Sequence, residues 1–353
     1  MKTVLYWQNP TNFSEIVCSF LPEKSRHWYL AVWRLAEGDD YSERMEAFER
    51  EFLDRVRTGE GFPSSIAEML MRDERRMRKP NRRKLAVADE RELLREDARH
   101  SVANYANWRV TDAPEFSVLD DLAGHGEFIV TLTNDLRTMC AKYAAAMPTG
   151  IDGSNVLCVA RIYGTREEYL DAVPEGMEWT SAYWNPSRRE LVASLPLSGE
   201  NDLLKTIRHE AFHQYLSYAT SMIATSPWLN EGYAQYFEDT ENVDWGYGHD
   251  VTPEWIERAS LSIRGILGMD YRQFYDGTDE ERRFKYRLAW SIACFLENGA
   301  PKVRFQPFKN IKADYIKELF ASQDMRKATS SAFRNEDTLK LFIAEWVKYW
   351  SGR

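Results

Sequence analysis

Positive charge is in deficit in this 353-residue chain, where Lys and Arg number 46 against 55 Asp and Glu, a net charge of −9. General affinity for nucleic acid or an anionic membrane needs the opposite balance, so no nucleic-acid partner is expected. No stretch approaches the roughly 18 consecutive apolar residues of a membrane-crossing helix, so no integral membrane segment is expected either. Cysteine is scarce. Cys18, Cys140, Cys158 and Cys294 lie far apart and form no Cys-x-x-Cys pair. That spacing argues against a zinc ribbon and a disulfide scaffold, and leaves them as small buried apolar side chains. Polar residues interrupt Met1 to Pro10 too early for a signal-peptide core, which makes cytoplasmic the default expectation and export the alternative if a leader has been removed. Internal repeats and low-complexity linkers are absent. What is present is an ordinary 44% hydrophobic content, enough for two domains or one large enzyme.

Six histidines occur in the chain, and two of them, His209 and His213, stand four apart. On a helix they lie one turn above each other and can offer two imidazole nitrogens to one ion. Helix is expected here because Leu204, Ile207, Ala211 and Tyr215 recur at three- and four-residue intervals, with Asn201 or Asp202 as N-cap. Phe212 and Leu216 add apolar surface on other sides, so the helix is expected to be buried nearly all round. Glu210 lies about 100° round from His209, near a metal-bound water without having to ligate the metal, which is where a general base belongs. A catalytic zinc takes three protein ligands and leaves a place for water. Glu231, with 17 residues between it and His213, is the candidate third ligand: that length finishes one helix, turns and starts another. Ser226 is expected to cap this second helix and Pro227 to occupy its first turn. Glu238, seven residues beyond Glu231, shares its face and is placed to hydrogen-bond a ligand. The plain alternative is a chance His-Glu-x-x-His in a helix.

His-Glu-x-x-His followed by Trp228-Leu-Asn230-Glu231-Gly-Tyr-Ala-x-Tyr-Phe-Glu238 resembles the gluzincin metallopeptidases, the clan of thermolysin and the aminopeptidase N relatives. It is most similar to a less characterised bacterial gluzincin-like family whose second helix begins Pro-Trp-Leu-x-Glu-Gly. The resemblance implies a Zn²⁺ cofactor held by His209, His213 and Glu231, with Glu238 and Asn230 supporting the ligands and Glu210 as base. It implies peptide-bond hydrolysis on a peptide or protein substrate. Tyr286, followed by Ala289 and Trp290, is similar to a tyrosine that stabilises the oxyanion in the aminopeptidase branch; anchoring a helix start is the structural alternative. The segment Ala182, Tyr183, Trp184 occupies the place of the strand that lines the cleft and pairs with an extended substrate. The Gly-x-Met-Glu-Asn segment that binds a free amine in the aminopeptidases has no counterpart, so the likeness does not extend to exopeptidase recognition. The rival function is a zinc-stabilised, catalytically silent protein that binds peptide or glycan.

The expected fold is α+β: a gluzincin-type zinc peptidase domain with a small mixed sheet, active-site helices and a helical C-terminal half, preceded by a helical N-terminal region. The boundary is set at 1–105 for that region, of unknown role, and 106–353 for the peptidase-like domain. Within the latter, a sheet subdomain runs to about 219 and a helical one follows. In the N-terminal region, Trp28 to Leu35 supplies one apolar segment, and Phe48, Phe52, Leu53 and Val56 a stripe at helical spacing. The basic run from Arg72 to Lys84 is interleaved with or flanked by acids, as on a solvated helix face. Farther on, strands are expected at Phe116–Leu119 and 155–163, helices at 127–146 and 166–172, and a hairpin over 182–195 turning at Asn185-Pro186-Ser187-Arg188. Beyond the motif, His249 lies in an aromatic, glycine-rich loop, either as a surface histidine or as an extra ligand. Helices are expected over 254–269, from Phe284 to Leu296 with Tyr286 at its start, and through the remainder.

Overall fold

A computed structural model describes the backbone of three strands within residues 2–34, and residues 87–352 apart from 151–156, 175–176, 179, 187 and 239–250. The chain divides into two compact units, Met1–Ala86 and Val87–Arg353.

In the first unit β1 (Lys2–Tyr6), β2 (Glu15–Phe20) and β3 (Tyr29–Arg34) form an antiparallel meander, with Val4 opposite Cys18 and Val17 opposite Val32. Helix was expected here, and the strands correct that expectation. Runs such as Thr3-Val-Leu-Tyr and Tyr29-Leu-Ala-Val-Trp are short and rich in β-branched and aromatic residues, which suit a pleated surface better than a helix. The stripe at Phe48 to Val56, the basic run at Arg72 to Lys84 and His249 lie outside the described residues.

The second unit is mixed α+β, with a small five-stranded sheet and a helical C-terminal half. It opens with helix α1 (Val87–Val102), so it begins ahead of the expected boundary at 105. The strands are β4 (Arg109–Asp112), β5 (Phe116–Asp120), β6 (Cys158–Tyr163), β7 (Ala182–Asn185) and β8 (Glu190–Ser194). They lie in the order β4-β5-β6-β8-β7, with β5, β6 and β8 parallel and both outer strands antiparallel to their neighbours. The Ala182–Leu195 hairpin therefore contributes one edge strand, β7, and one interior strand, β8.

Side-chain alternation along these strands serves two faces. Leu119 and Val159 pack under α1 with Leu94, Ala98 and Val102. Val118, Ala160, Leu191 and Ala193 turn the other way, into the core that contains α2 (Gly126–Ala146) and α4 (Glu200–Ala219). On the α1 side, Arg161 reaches the buried Glu190 carboxylate at 3.1 and 3.3 Å and donates to Ser101 Oγ of α1 at 2.7 Å. Helix α3 (Arg166–Ala172) packs its Tyr169 against Tyr183 and Val192.

Helix α4 is buried on most sides, as its residues predict. Its start differs from expectation. Gly199, at φ +100°, is the N-cap in place of Asn201 or Asp202. Gly adopts that left-handed geometry without strain, and Glu200 and Asp202 then fall in the first turn, where acids suit the helix dipole. Arg208 ties α4 to α2 through Asp135, at 2.8 and 2.7 Å.

Among the described residues, every element beyond β8 is helical: after α4 come α5 (Pro227–Glu238), α6 (Pro253–Gly268), α7 (Tyr271–Tyr275), α8 (Asp279–Cys294), a π turn (Phe295–Gly299), a 3-10 turn (Ala300–Lys302), α9 (Gln306–Ser322), α10 (Met325–Phe333) and α11 (Glu336–Ser351). Pro227 opens α5 as expected. Ser226 does not cap it with its side chain: the hydroxyl bonds the Met325 carbonyl at 3.0 Å and Thr329 Oγ1 at 2.9 Å, fastening α5 to α10. Helix α8 begins at Asp279, ahead of the expected Phe284, because Thr278 and Glu281 form a reciprocal capping box. Tyr286 therefore sits within the helix and not at its start.

Candidate metal centre

Two elements carry the motif. His209, Glu210 and His213 project from α4, and Asn230, Glu231 and Glu238 from α5. The two imidazoles stand edge to face, ring centroids 4.8 Å apart at 81°. One oxygen of Glu231, Oε2, lies 3.6 Å from His209 Nε2 and 3.5 Å from His213 Nε2. The other ring nitrogens face outward supports: His209 Nδ1 is 3.3 Å from Glu238 Oε2, and His213 Nδ1 is 2.8 Å from Asn230 Oδ1. With Nδ1 carrying the hydrogen, each imidazole donates to its support and turns an Nε2 lone pair inward. The structure thus brings His209, His213, Glu231, Glu238 and Asn230 together.

These distances fit a small cation. Donors about 2.0–2.1 Å from a tetrahedral ion stand roughly 3.3–3.4 Å from one another, close to the observed 3.5 and 3.6 Å. Two imidazoles and a carboxylate form a donor set suited to zinc, with a further coordination place left over. His209, Glu210 and His213 also bring a donor atom each within 4.8 Å of one another. Glu231 is the better third ligand than Glu210, because its single oxygen faces both Nε2 atoms, whereas Glu210 Oε2 accepts the Trp184 backbone N–H at 2.8 Å.

Electrostatics follow the geometry. Burial alone would push the Glu231 carboxyl up, yet His213 and His209 hold it well below the usual carboxylate range. Burial would likewise disfavour a charged His209, but Glu231 and Glu238 raise it well above an ordinary histidine, and Glu231 raises His213 too. A cation bound by these groups would take the place of the protons they attract.

The edge strand meets the site through its backbone. Ser194 N–H donates to Ser181 across the β7–β8 pairing, and strand alternation then turns the N–H and C=O of Ala182 and Trp184 away from β8. Trp184 N–H is the one that reaches Glu210. The Trp184 indole packs on α4, donating to Ser217 Oγ at 3.1 Å with its ring 5.7 Å from that of Tyr218. Tyr183 does not join the site: its side chain points to the opposite face, with Tyr169 and Val192, as the two-residue alternation requires.

No protein-family model matches this chain, and neither a curated protein nor a solved structure matches it.

The groups that sequence reasoning missed come from α7. Tyr275 Oη donates to Glu231 Oε1 at 2.5 Å, and Tyr271 Oη accepts from Asn230 Nδ2 at 2.6 Å. One short helix thus contacts both Glu231 and the residue that supports His213. Burial and the Glu231 charge raise both phenols above their ordinary range, so both stay protonated. The Tyr-x-x-x-Tyr spacing of residues 271 and 275 was the available signal, since it puts two phenols on one face. Gln235 was missed as well; its Nε2 lies 3.3 Å from His209 Nδ1. Tyr286 is one ring farther out, its centroid 5.1 Å from Phe274 and 6.4 Å from Tyr275.

Proposed function

We propose that this chain is a zinc metallopeptidase of the gluzincin type, hydrolysing peptide bonds. The observation that carries the reading is the convergence of one Glu231 oxygen on the inward nitrogens of His209 and His213, with Glu210 on the same turn of α4. When bound, zinc supplies a Lewis acid that polarises a carbonyl and makes a water easier to deprotonate. Glu210 takes the proton from that water at its carboxylate and passes it to the leaving amine. The backbone N–H of Trp184 orients Glu210 for that role. An extended peptide is the substrate class, because the outward backbone groups of Ala182 and the Trp184 carbonyl on β7 would offer strand-like hydrogen bonds beside the base, the Trp184 N–H being held by Glu210. Tyr286 takes the oxyanion-stabilising role that the resemblance assigns to it.

The Trp184-to-Glu210 hydrogen bond also favours a second reading, a zinc-stabilised protein that binds peptide or glycan and turns nothing over, because it gives Glu210 a structural task. Metal analysis and a peptide-library digest with and without chelator separate the two. The peptidase reading expects about one zinc per chain, chelator-sensitive cleavage, retained zinc but lost cleavage in Glu210→Gln, and lost zinc in His213→Ala. A Glu210→Gln variant that cleaves as fast as its parent refutes the assignment of the base. Metal-loaded protein that cleaves nothing favours the binding reading.

A further inference from the structure

Carboxylates bind cations through one oxygen or through both, and the choice decides how many places remain for solvent or substrate. At Glu231 the two oxygens have different partners. Oε2 faces the imidazoles, whereas Oε1 accepts the Tyr275 hydroxyl at 2.5 Å. That separation is in the range of a strong hydrogen bond to an ionised oxygen. Glu231 is almost wholly buried, with 3% of its side chain exposed, so water does not readily replace the phenol as partner. Tyr275 as a residue is 40% exposed, but its hydroxyl points inward to Glu231.

We propose that Tyr275 is a positioning residue that confines Glu231 to a single coordinating oxygen, keeping a cation held by His209, His213 and Glu231 four-coordinate with one exchangeable place. The proposal rests on the metal-site reading above. Without the hydroxyl, Oε1 would be a buried, negatively charged acceptor lacking its partner, and turning toward the cation would be its cheapest satisfaction. The helix is built to hold this pose. Asp270 and Gln273 close a capping box at its start, Tyr271 stacks near Tyr275 with centroids 5.8 Å apart, and Tyr271 Oη bonds Asn230. The same five-residue segment therefore fixes both Glu231 and the outward nitrogen of His213, through Asn230.

Cobalt(II) reports coordination number directly, since its visible bands are intense in four-coordinate sites and weak in five-coordinate ones. The full chain would be stripped with chelator, loaded with cobalt alone, and scanned beside Tyr275→Phe. Wild type is expected to show the intense four-coordinate pattern. Tyr275→Phe is expected to bind cobalt and lose most of that intensity. Installing 4-aminophenylalanine at 275, an N–H donor of the same length, is expected to restore it. Zinc-edge X-ray absorption on the same proteins loaded with zinc instead should show the first shell gaining an oxygen in Tyr275→Phe. Weak, five-coordinate bands in wild type overturn the proposal even if the variant does not fold. Intense bands that survive Tyr275→Phe overturn it while leaving the metal site intact. Wild type that binds neither cobalt nor zinc overturns the metal reading and this inference together.

Discussion

Gly232 lies against the backbone of Ala289: a Cβ at 232 would fall 2.5 Å from the Ala289 carbonyl oxygen and 2.8 Å from its carbon. The residue after Glu231 is thus a point of close approach between α5 and α8. Gly232→Ala must push the helices apart and is expected to destabilise the chain by about 1–3 kcal/mol. Denaturant melts would show the loss, and because Glu231 shifts with α5, zinc affinity should fall too. An unchanged midpoint would contradict the close approach.

Asn230 and Glu238 would act on a cation held here through His213 and His209, whose outer nitrogens they face. Removing such supports commonly costs about 10–100-fold in metal affinity. Asn230→Ala and Glu238→Ala are each expected to weaken zinc binding by that order, measured by competition with a chromophoric chelator, while leaving the melting temperature of the metal-free protein nearly unchanged.

Tyr286→Phe is expected to lower kcat by about 10²–10³-fold if its hydroxyl meets the developing oxyanion. Zinc content should be unaffected. A change in metal binding with no change in turnover would instead class Tyr286 as support for the Tyr275 ring beside it.

Glu190 is the buried counter-charge of Arg161 beneath α1, the two side chains 2% and 6% exposed. Glu190→Gln strands a buried guanidinium and is expected to cost about 3–5 kcal/mol. The double variant Arg161→Met with Glu190→Leu should recover most of it, a non-additivity visible in a double-mutant cycle.

Asp121 carries a pH signature. Burial pushes its carboxyl up to about 6, against the opposing hydrogen bond from Gly164 N–H, whereas an unfolded aspartate titrates near 3.9. Between those values the folded form holds the Asp121 proton and the unfolded form has lost it. The Asp121 contribution to stability should therefore fall as pH rises from about 4 to 6 and stay lost above that. Asp121→Asn keeps an acceptor for Gly164 and should flatten this part of the melting-temperature profile; a slope that persists would place its origin elsewhere.

The centre was legible where its parts lie within one helix. His209, Glu210 and His213 share two turns of α4, and a spacing of four is a local fact. Glu238 was reachable because the period of α5 links it to Glu231, and Asn230 through the resemblance of the motif it stands in. Tyr271 and Tyr275 were not: their spacing puts two phenols on one face, but their partners lie on another helix that the spacing does not name. The strands at 116–120, 158–163 and 182–194 announced themselves as short apolar runs bounded by turns. The N-terminal strands were hidden by charged surroundings that read as helix. The start of α8 was overlooked because five charged residues, Asp279 to Arg283, follow its cap Thr278 in place of an apolar run. Gly199 escaped notice because a backbone angle, not a side chain, makes it a cap.

Trp184 joins the sheet border to Glu210 by its amide and to α4 by its indole. If peptides dock along that border, the strand that grips the substrate also aims the base that serves the reaction. Grip and chemistry would then share one mechanical part. Substitutions that tilt β7 should alter KM and kcat in concert, and evolution of a new specificity there would have to retune both at once.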